Sequence, residues 1–360
     1  MSNSTVKAGL LSALATAALL FVAALAWGFA SYTADGPVAR QGDETVVVLR
    51  SGAGVSEIAG TLAEAGVVRS ATAFRVAAQL TGADRGLRAG EYRIESGASL
   101  AEVLETLRSG DVARHFVTIP EGWSVAQAID ILNAETVLTG AVEDIPAEGS
   151  LMPDTYEVTR GESRQSVIDR MQAAQTELIE ELWPTRAQGL PFSTPGEAVT
   201  LASIVEKETG LAEERPRVAA VFVNRLRLGM RLESDPTIVY GISGGRPLGR
   251  GLRRSELARE TPYNTYQIPG LPPTPIANPG RAAIEAVLNP PASRDLFFVA
   301  DGSGGHAFAS TYAQHLENVG RWRAIEAARA PAQAQTAAPA SPAALPATPP
   351  ATPPAEAAAQ

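Results

Sequence analysis

Thr194-Pro195-Gly196-Glu197-Ala198-Val199-Thr200-Leu201-Ala202-Ser203-Ile204-Val205-Glu206-Lys207-Glu208-Thr209-Gly210 reads as one helix with both ends marked. Thr194 can cap the first turn, Pro195 stands at the first helical position and Glu197 completes a capping box, while Gly210 stops the run. Residues placed every 100° put Ala198, Leu201, Ile204 and Val205 on one side, and Glu208 falls among them. Glu206 points about 160° away, flanked by Ser203 and Lys207, and reads as a solvated charge. A carboxyl on an apolar face loses hydration, which disfavours its ionised form and raises its pKa toward working pH. A general acid that must protonate an ether oxygen needs that environment. The alternative is an ordinary ion pair at the helix end, between Glu208 and an arginine such as Arg215.

Working outward, three segments upstream share one pattern. Ser51-Gly52-Ala53-Gly54-Val55, Ser96-Gly97-Ala98-Ser99-Leu100 and Glu121-Gly122-Trp123-Ser124-Val125 each follow a short β-rich run: Val46–Leu49, Tyr92–Ile94 and Phe116–Ile119. Each leads into apolar residues at helical spacing, such as Val103, Leu104 and Leu107. Ser99 and Ser124 stand where N-caps belong, and Gly66 and Gly110 read as helix stops. These are strand-turn-helix units, each too small to fold alone. Their pattern resembles LysM, a small fold that recognises N-acetylated sugars; a generic α+β spacer is the other reading.

The ends differ in character. Ala8 to Ala34 carries no charged residue, and Leu10 to Ala30 is almost wholly apolar, enough to cross a hydrocarbon core that needs about 20 residues. Trp27 and Tyr32 suit the interface, and Lys7 places a short N-terminus (residues 1–7) in the cytoplasm. We therefore expect a single transmembrane helix at 8–30, with all that follows Asp35 exported. A cleaved signal peptide, with Ala24-Leu25-Ala26 as its site, is the rival. Residues 331–360 are nearly all Ala, Pro, Thr and Gln, the composition of a disordered tail or spacer.

Bulk composition excludes several classes. A net charge of −9 opposes nucleic-acid binding, which needs a basic surface. With no cysteine in 360 residues there is no thiol nucleophile, thiolate zinc site, disulfide or lipidated cysteine. His115, His306 and His315 are the only histidines and no HExxH occurs, so neither a metal nor another cofactor is expected. Asp301-Gly302-Ser303-Gly304-Gly305-His306 lacks the spacing of a nucleophile elbow and reads, after Phe297–Ala300, as a strand-end turn.

Leu201 to Thr209 also resembles the signature of the YceG/MltG family of endolytic peptidoglycan transglycosylases. So do Val221-Phe222-Val223-Asn224-Arg225-Leu226, Asp235-Pro236-Thr237, Tyr263-Asn264-Thr265-Tyr266, Gly270-Leu271-Pro272-Pro273, Pro279-Gly280, and Phe298 to His306. The motifs run in order from about Thr45 to Trp322. Thr274 departs from the pattern, which favours Gly after the proline pair. The resemblance implies an α+β fold: a LysM-like module at 45–134 and a lysozyme-related catalytic domain at 150–326. It places the essential glutamate on Glu208, the residue the helix geometry had chosen. It implies cleavage of the MurNAc–GlcNAc β-1,4 bond of nascent glycan strands, leaving 1,6-anhydro-MurNAc ends and terminating strand growth. It also implies association with glycan-polymerising synthases, the penicillin-binding proteins, at the inner membrane.

Sugar clefts use planar faces and fixed amides. Asn224, Asp235, Tyr240, Tyr263, Asn264, Tyr266 and His306 supply such groups, and the resemblance places them near the cleft. Each has a structural alternative; Tyr240, after Thr237-Ile238-Val239, reads equally as a strand-end core residue. Leu271-Pro272-Pro273-Thr274-Pro275 has fixed φ angles and suits a rigid cleft wall. Arg246, Arg250, Arg253 and Arg254 make a basic loop, read as a solvated hairpin or a contact for acidic stem peptides. No second acid is obvious beside Glu208, which fits a single-carboxyl lytic reaction. Asp235 keeps a hydrolytic muramidase open, and a glycan-binding scaffold without catalysis is the third class.

Overall fold

The computed structural model describes residues 3–50 and 52–336. Its first helix, α1 (Asn3–Thr33), includes Leu14–Thr33, 20 residues of mean hydropathy 1.9 with no part buried in the protein. At 1.5 Å per residue that stretch is about 30 Å long, long and apolar enough to cross a membrane. Tyr32 at its end packs against the first of three hydrophobic cores.

That first core lies under β1 (Glu44–Leu49), α2 (Val55–Glu64), α3 (Ala71–Thr81), β2 (Gly90–Glu95) and α4 (Leu100–Ser109). Alternation decides which side of β1 faces it: Val47 and Leu49 are buried, Val46 and Val48 exposed. The strands pair antiparallel, Val47 opposite Tyr92, and the buried tyrosine donates its hydroxyl to Arg88 O at 2.8 Å. Ser99 caps α4 as expected, completing a capping box with Glu102, and Gly110 ends the helix in the left-handed region. Helix α3, capped by Ser70, stands outside the three-unit pattern.

The third unit does not join the first two. Its strand β3 (His115–Thr118) pairs antiparallel with β4 (Thr155–Val158), and its helix α5 (Val125–Ala134) shares a second core with α6 (Arg164–Leu182). Glu91, buried on β2, accepts from Arg160 Nε at 2.5 Å and His115 Nε2 at 3.1 Å, tying the first core to the second.

The third core is built on α7 (Pro195–Glu208), α8 (Arg215–Arg227) and α11 (Arg281–Leu288), with Leu178 and Leu182 of α6. Around it lie α9 (Asp235–Ser243), α10 (Arg254–Ala258), the antiparallel hairpin β5 (Phe297–Ala300) and β6 (His306–Ala309), and α12 (Tyr312–Thr336). Full burial of Leu201, Ile204 and Ile284 stabilises this packing by roughly 2 kcal/mol each. Tyr240 lies inside α9, which corrects the strand reading of Thr237–Tyr240. The basic loop is no hairpin: a turn leads into α10, with Arg246 paired to Asp130 and Arg250 to Glu256. Of the tail expected from Pro331, the part to Thr336 ends α12; the remainder lies outside the described residues.

Asn278 joins the second core to the third. Its amide N–H donates to Trp123 O, its carbonyl accepts from Gly122 N, and its Oδ1 accepts from Leu151 N, all within 2.9–3.0 Å. Gly149, at φ +80, passes so close to Pro275 that an added Cβ would lie 2.6 Å from the proline ring. Gly149→Ala combines this clash with an unfavourable backbone conformation, so it should destabilise the protein by about 2 kcal/mol or more. Thermal unfolding of the full chain in detergent checks this; an unchanged midpoint would contradict it.

Candidate active site

Helix α7 begins as its sequence requires. Thr194 Oγ1 accepts from Glu197 N at 3.2 Å, and Glu197 Oε2 accepts from Thr194 N at 2.9 Å. Every residue from Ala198 to Val205 is buried, so the helix is sunk in the core and has no solvated side over these turns. Two expectations therefore change. Ser203 is buried, and its Oγ accepts from Ile276 N at 3.0 Å. Glu206 is not a solvated charge: its side chain is only 5% exposed, pairs with Arg215 at 3.1 Å and accepts from Gly280 N at 3.0 Å. Arg215 thus holds Glu206 and not Glu208. Burial outweighs these partners and pushes the Glu206 carboxyl above the usual range.

Glu208, in the last turn of α7, keeps a narrow opening to solvent while its carboxyl is enclosed. Burial is the main cause that pushes its pKa up to about 7, and the negative charge of Asp235 adds to it; Ser234, His306 and Arg225 act in the opposite sense. Ser234 Oγ donates a short hydrogen bond to Glu208 Oε1.

Sequence reading missed Ser234. It stands at the N-cap of α9, before Asp235 and Pro236, where a serine ordinarily caps its own helix. Here the side chain makes no cap hydrogen bond, which leaves its hydroxyl for Glu208. The backbone is fixed around it: Ser234 N donates to Thr265 Oγ1 at 3.0 Å, and Thr237 Oγ1 donates to Ser234 O at 2.7 Å. Glu233 has φ +54, the one positive φ at a non-glycine among the described residues, an unfavourable conformation that the surroundings must impose. Arg225 imposes it in part, donating to Leu232 O at 2.9 Å and to Glu233 Oε2 at 3.1 Å.

The other named residues divide into three sets. Asp235 accepts from Tyr266 O–H at 2.8 Å beside Glu208, and His306 Nδ1 lies 2.8 Å from Glu214 Oε2. Tyr240 and Tyr263 pack together, ring centroids 5.0 Å apart, with Tyr263 O–H at 2.8 Å from Thr274 Oγ1. Glu148, which accepts from Val125 N at 2.9 Å, is itself pushed up by burial. A cavity of about 680 Å³ opens between Glu148, the start of α7 and the Gly270–Pro275 wall. The two asparagines serve the fold: Asn224 Nδ2 donates to Ser293 O and Asp295 O, and Asn264 Nδ2 to the carbonyls of Glu256, Leu257 and Arg259.

Residues 47–321 match the model of the YceG-like family. The chain belongs to that family. The endolytic murein transglycosylase of Bacillus subtilis (strain 168) is 30% identical over 311 residues, 78% of this chain and 85% of that protein. The endolytic murein transglycosylase of Streptococcus pneumoniae serotype 2 (strain D39) is 31% identical over 368 residues, 88% of this chain but 65% of that protein. A crystal structure of a yceG-like protein from Listeria monocytogenes is 27% identical with a TM-score of 0.48, covering 76% of this chain and 98% of that one.

Because the Glu208 pKa rises from 4.5 to about 7 on folding, the folded state binds more protons than the unfolded one between those values. Stability should fall as pH climbs through that window and stay reduced above it, by up to about 3 kcal/mol. Glu208→Gln should raise the melting temperature at pH 8 and lose that advantage near pH 4; no pH dependence in the difference would contradict the enclosure of this carboxyl. The neighbours should move the alkaline limb of any activity that needs protonated Glu208 in opposite directions. Asp235→Asn should shift it down in pH and Ser234→Ala up, as read from pH–rate profiles.

Proposed function

We propose that this chain is a membrane-anchored, endolytic peptidoglycan lytic transglycosylase with Glu208 as its catalytic acid and base. The observation that carries this reading is the enclosed Glu208 carboxyl, protonated in part near neutral pH and aimed by Ser234. The names of the relatives supply the substrate class. The catalytic domain is the 150–326 region, and within 45–134 the two units that share the first core are a LysM-like glycan-binding module. The anchor helix, residues 8–30, leaves residues 1–7 in the cytoplasm and the rest in the periplasm. The enzyme cuts nascent strands, ends their growth, and works beside penicillin-binding synthases. Asp235, Tyr240, Tyr263, Tyr266 and His306 line the sugar path, and Asn224 and Asn264 hold the loops that shape it.

In the reaction Glu208 protonates the oxygen between MurNAc and GlcNAc as the bond to C1 breaks. Its carboxylate then takes the proton of the muramyl 6-hydroxyl as that oxygen bonds to C1 and closes the 1,6-anhydro ring, which returns Glu208 to its starting form. No water is consumed, so no second carboxyl is needed to activate one, unlike the pair used by most glycoside hydrolases. One observation favours a second reading: Asp235 is near enough for its charge to act on Glu208, and a hydrolytic muramidase would use it to activate water.

Digestion of purified glycan strands by the full chain in detergent separates these readings, with product ends identified by mass. Anhydro ends from the unaltered protein, reduced by about 10²-fold or more in Glu208→Gln, are expected. Reducing ends would make the enzyme a hydrolase acting through Asp235. Equal products from both forms would remove Glu208 from the chemistry.

A further inference from the structure

Where α1 ends, the chain is tied at once to the first core. Gly36 N donates to Gly97 O at 2.9 Å, Gly97 N to Pro37 O at 3.0 Å, and Ala39 N to Ser96 Oγ at 2.9 Å. A Cβ on Gly36 would run into Ala98 O, so glycine is what allows this approach. Tyr32 enters the core from the helix itself. These contacts set the end of α1 beside the turn between α2 and α3 and the start of α4. A cavity of about 480 Å³ lies between them.

Its walls are sorted by polarity. Trp27 and Ala30 line it from α1, and Val67, Val68, Ala73 and Leu100 line it from the other side. Arg69 and Asp35 are the charged groups in its lining. Arg69 Nη2 donates to Asp35 O at 3.1 Å. Neither the rest of that guanidinium nor the Asp35 carboxylate has a partner among the described residues, and both residues are exposed.

Depth decides what can fill this space. Leu14–Thr33 is the stretch long and apolar enough to cross a membrane. At 1.5 Å per residue, Trp27 and Ala30 lie about 9 and about 4.5 Å short of its outer end. The cavity therefore begins within the outer leaflet, and its two charges stand just past the span, at the level of the headgroups. Space beside a span at that depth holds lipid or water. Water would leave the apolar walls hydrated, whereas a lipid covers them. One cation and one anion at the mouth match a headgroup that carries both, with phosphate on the guanidinium and ammonium on the carboxylate.

We propose that this cavity binds one outer-leaflet phospholipid of the phosphatidylethanolamine type. Arg69 holds its phosphate and Asp35 its ammonium, and its glycerol and upper chain lie against Trp27 and the two valines. The lipid fills the gap at the junction between the anchor and the first core. A headgroup that is only anionic, such as phosphatidylglycerol, leaves Asp35 unpaired beside another negative charge, which disfavours it. The proposal rests on the membrane-anchored reading above.

The test titrates the full chain, delipidated in non-ionic detergent, with phosphatidylethanolamine or phosphatidylglycerol and counts bound lipid by native mass spectrometry. One phosphatidylethanolamine per chain is expected, held about tenfold or more tighter than phosphatidylglycerol. Asp35→Asn should bring the two lipids within about threefold of each other, and Arg69→Ala should weaken both by about tenfold or more. Ala73→Phe, at an exposed position of α3, fills the cavity and should weaken both while keeping their ratio. Should Arg69→Ala loosen the junction and lower the unfolding midpoint, the other two variants decide. Equal retention of the two lipids by the unaltered chain would overturn the proposal. So would an unchanged preference in Asp35→Asn, or undiminished binding in Ala73→Phe. If the chain leaves membranes in alkaline carbonate without detergent, the anchor reading has failed and the lipid site fails with it. If it stays in the membrane and binds both lipids alike, only the site is lost.

Discussion

The carboxyl of Glu208 and the hydroxyl of Ser234 meet where α7 ends and α9 begins, and much of the structure around the third core is arranged to keep them there. An enclosed carboxyl is costly in its ionised form, and that cost is what holds a proton on it near neutral pH. Ser234 partly offsets the cost and fixes the direction of one oxygen. Its own place depends on Thr265 and Thr237, on Arg225, and on the unfavourable backbone of Glu233. Local strain at Glu233 is outweighed by the bonds around it, a common condition at sites where position matters more than comfort.

The same helix end joins the third core to the segment before it. Glu206 and Lys207 face the turn Glu121–Gly122: Arg215 bonds Glu206 and approaches Glu121 at 3.8 Å, while Lys207 Nζ donates to Gly122 O at 3.0 Å. Asn278 adds its own bonds to Gly122 and Trp123. The third strand-turn-helix unit therefore contacts the turn that carries Glu208, while the first two form their own core nearer α1. Similarity of sequence among the three units does not decide their company. Each leaves an apolar face to cover, and β4 with α6 covers that of the third.

Much of the local structure was legible. The N-caps at Ser99 and Ser124, the capping box at Thr194 and the stop at Gly110 are short-range events, set by groups within four residues of their partners. The period of 3.6 put Glu208 with the apolar residues of α7. It misjudged Glu206 and Ser203, because periodicity assigns one buried face and α7 is buried almost all round. A charge on the second face then needs a partner from elsewhere, and Arg215 and the Gly280 amide supply it. Nothing in the local pattern announces such partners.

The sequence by itself determined the helix, its ends, the place of Glu208 among the apolar residues of that helix, the apolar span near the N-terminus, and the family. These depend on spacing and residue type, which the chain carries in one dimension. Only the tertiary structure decided that Ser234 turns from its own helix toward Glu208, that Glu214 grips His306 across 92 positions, and that Asn224 and Asn264 are committed to carbonyls. Each is a match between groups far apart in the chain, fixed by how three cores pack. Hydrogen-bonding partners of that kind have no signature until the distances are known.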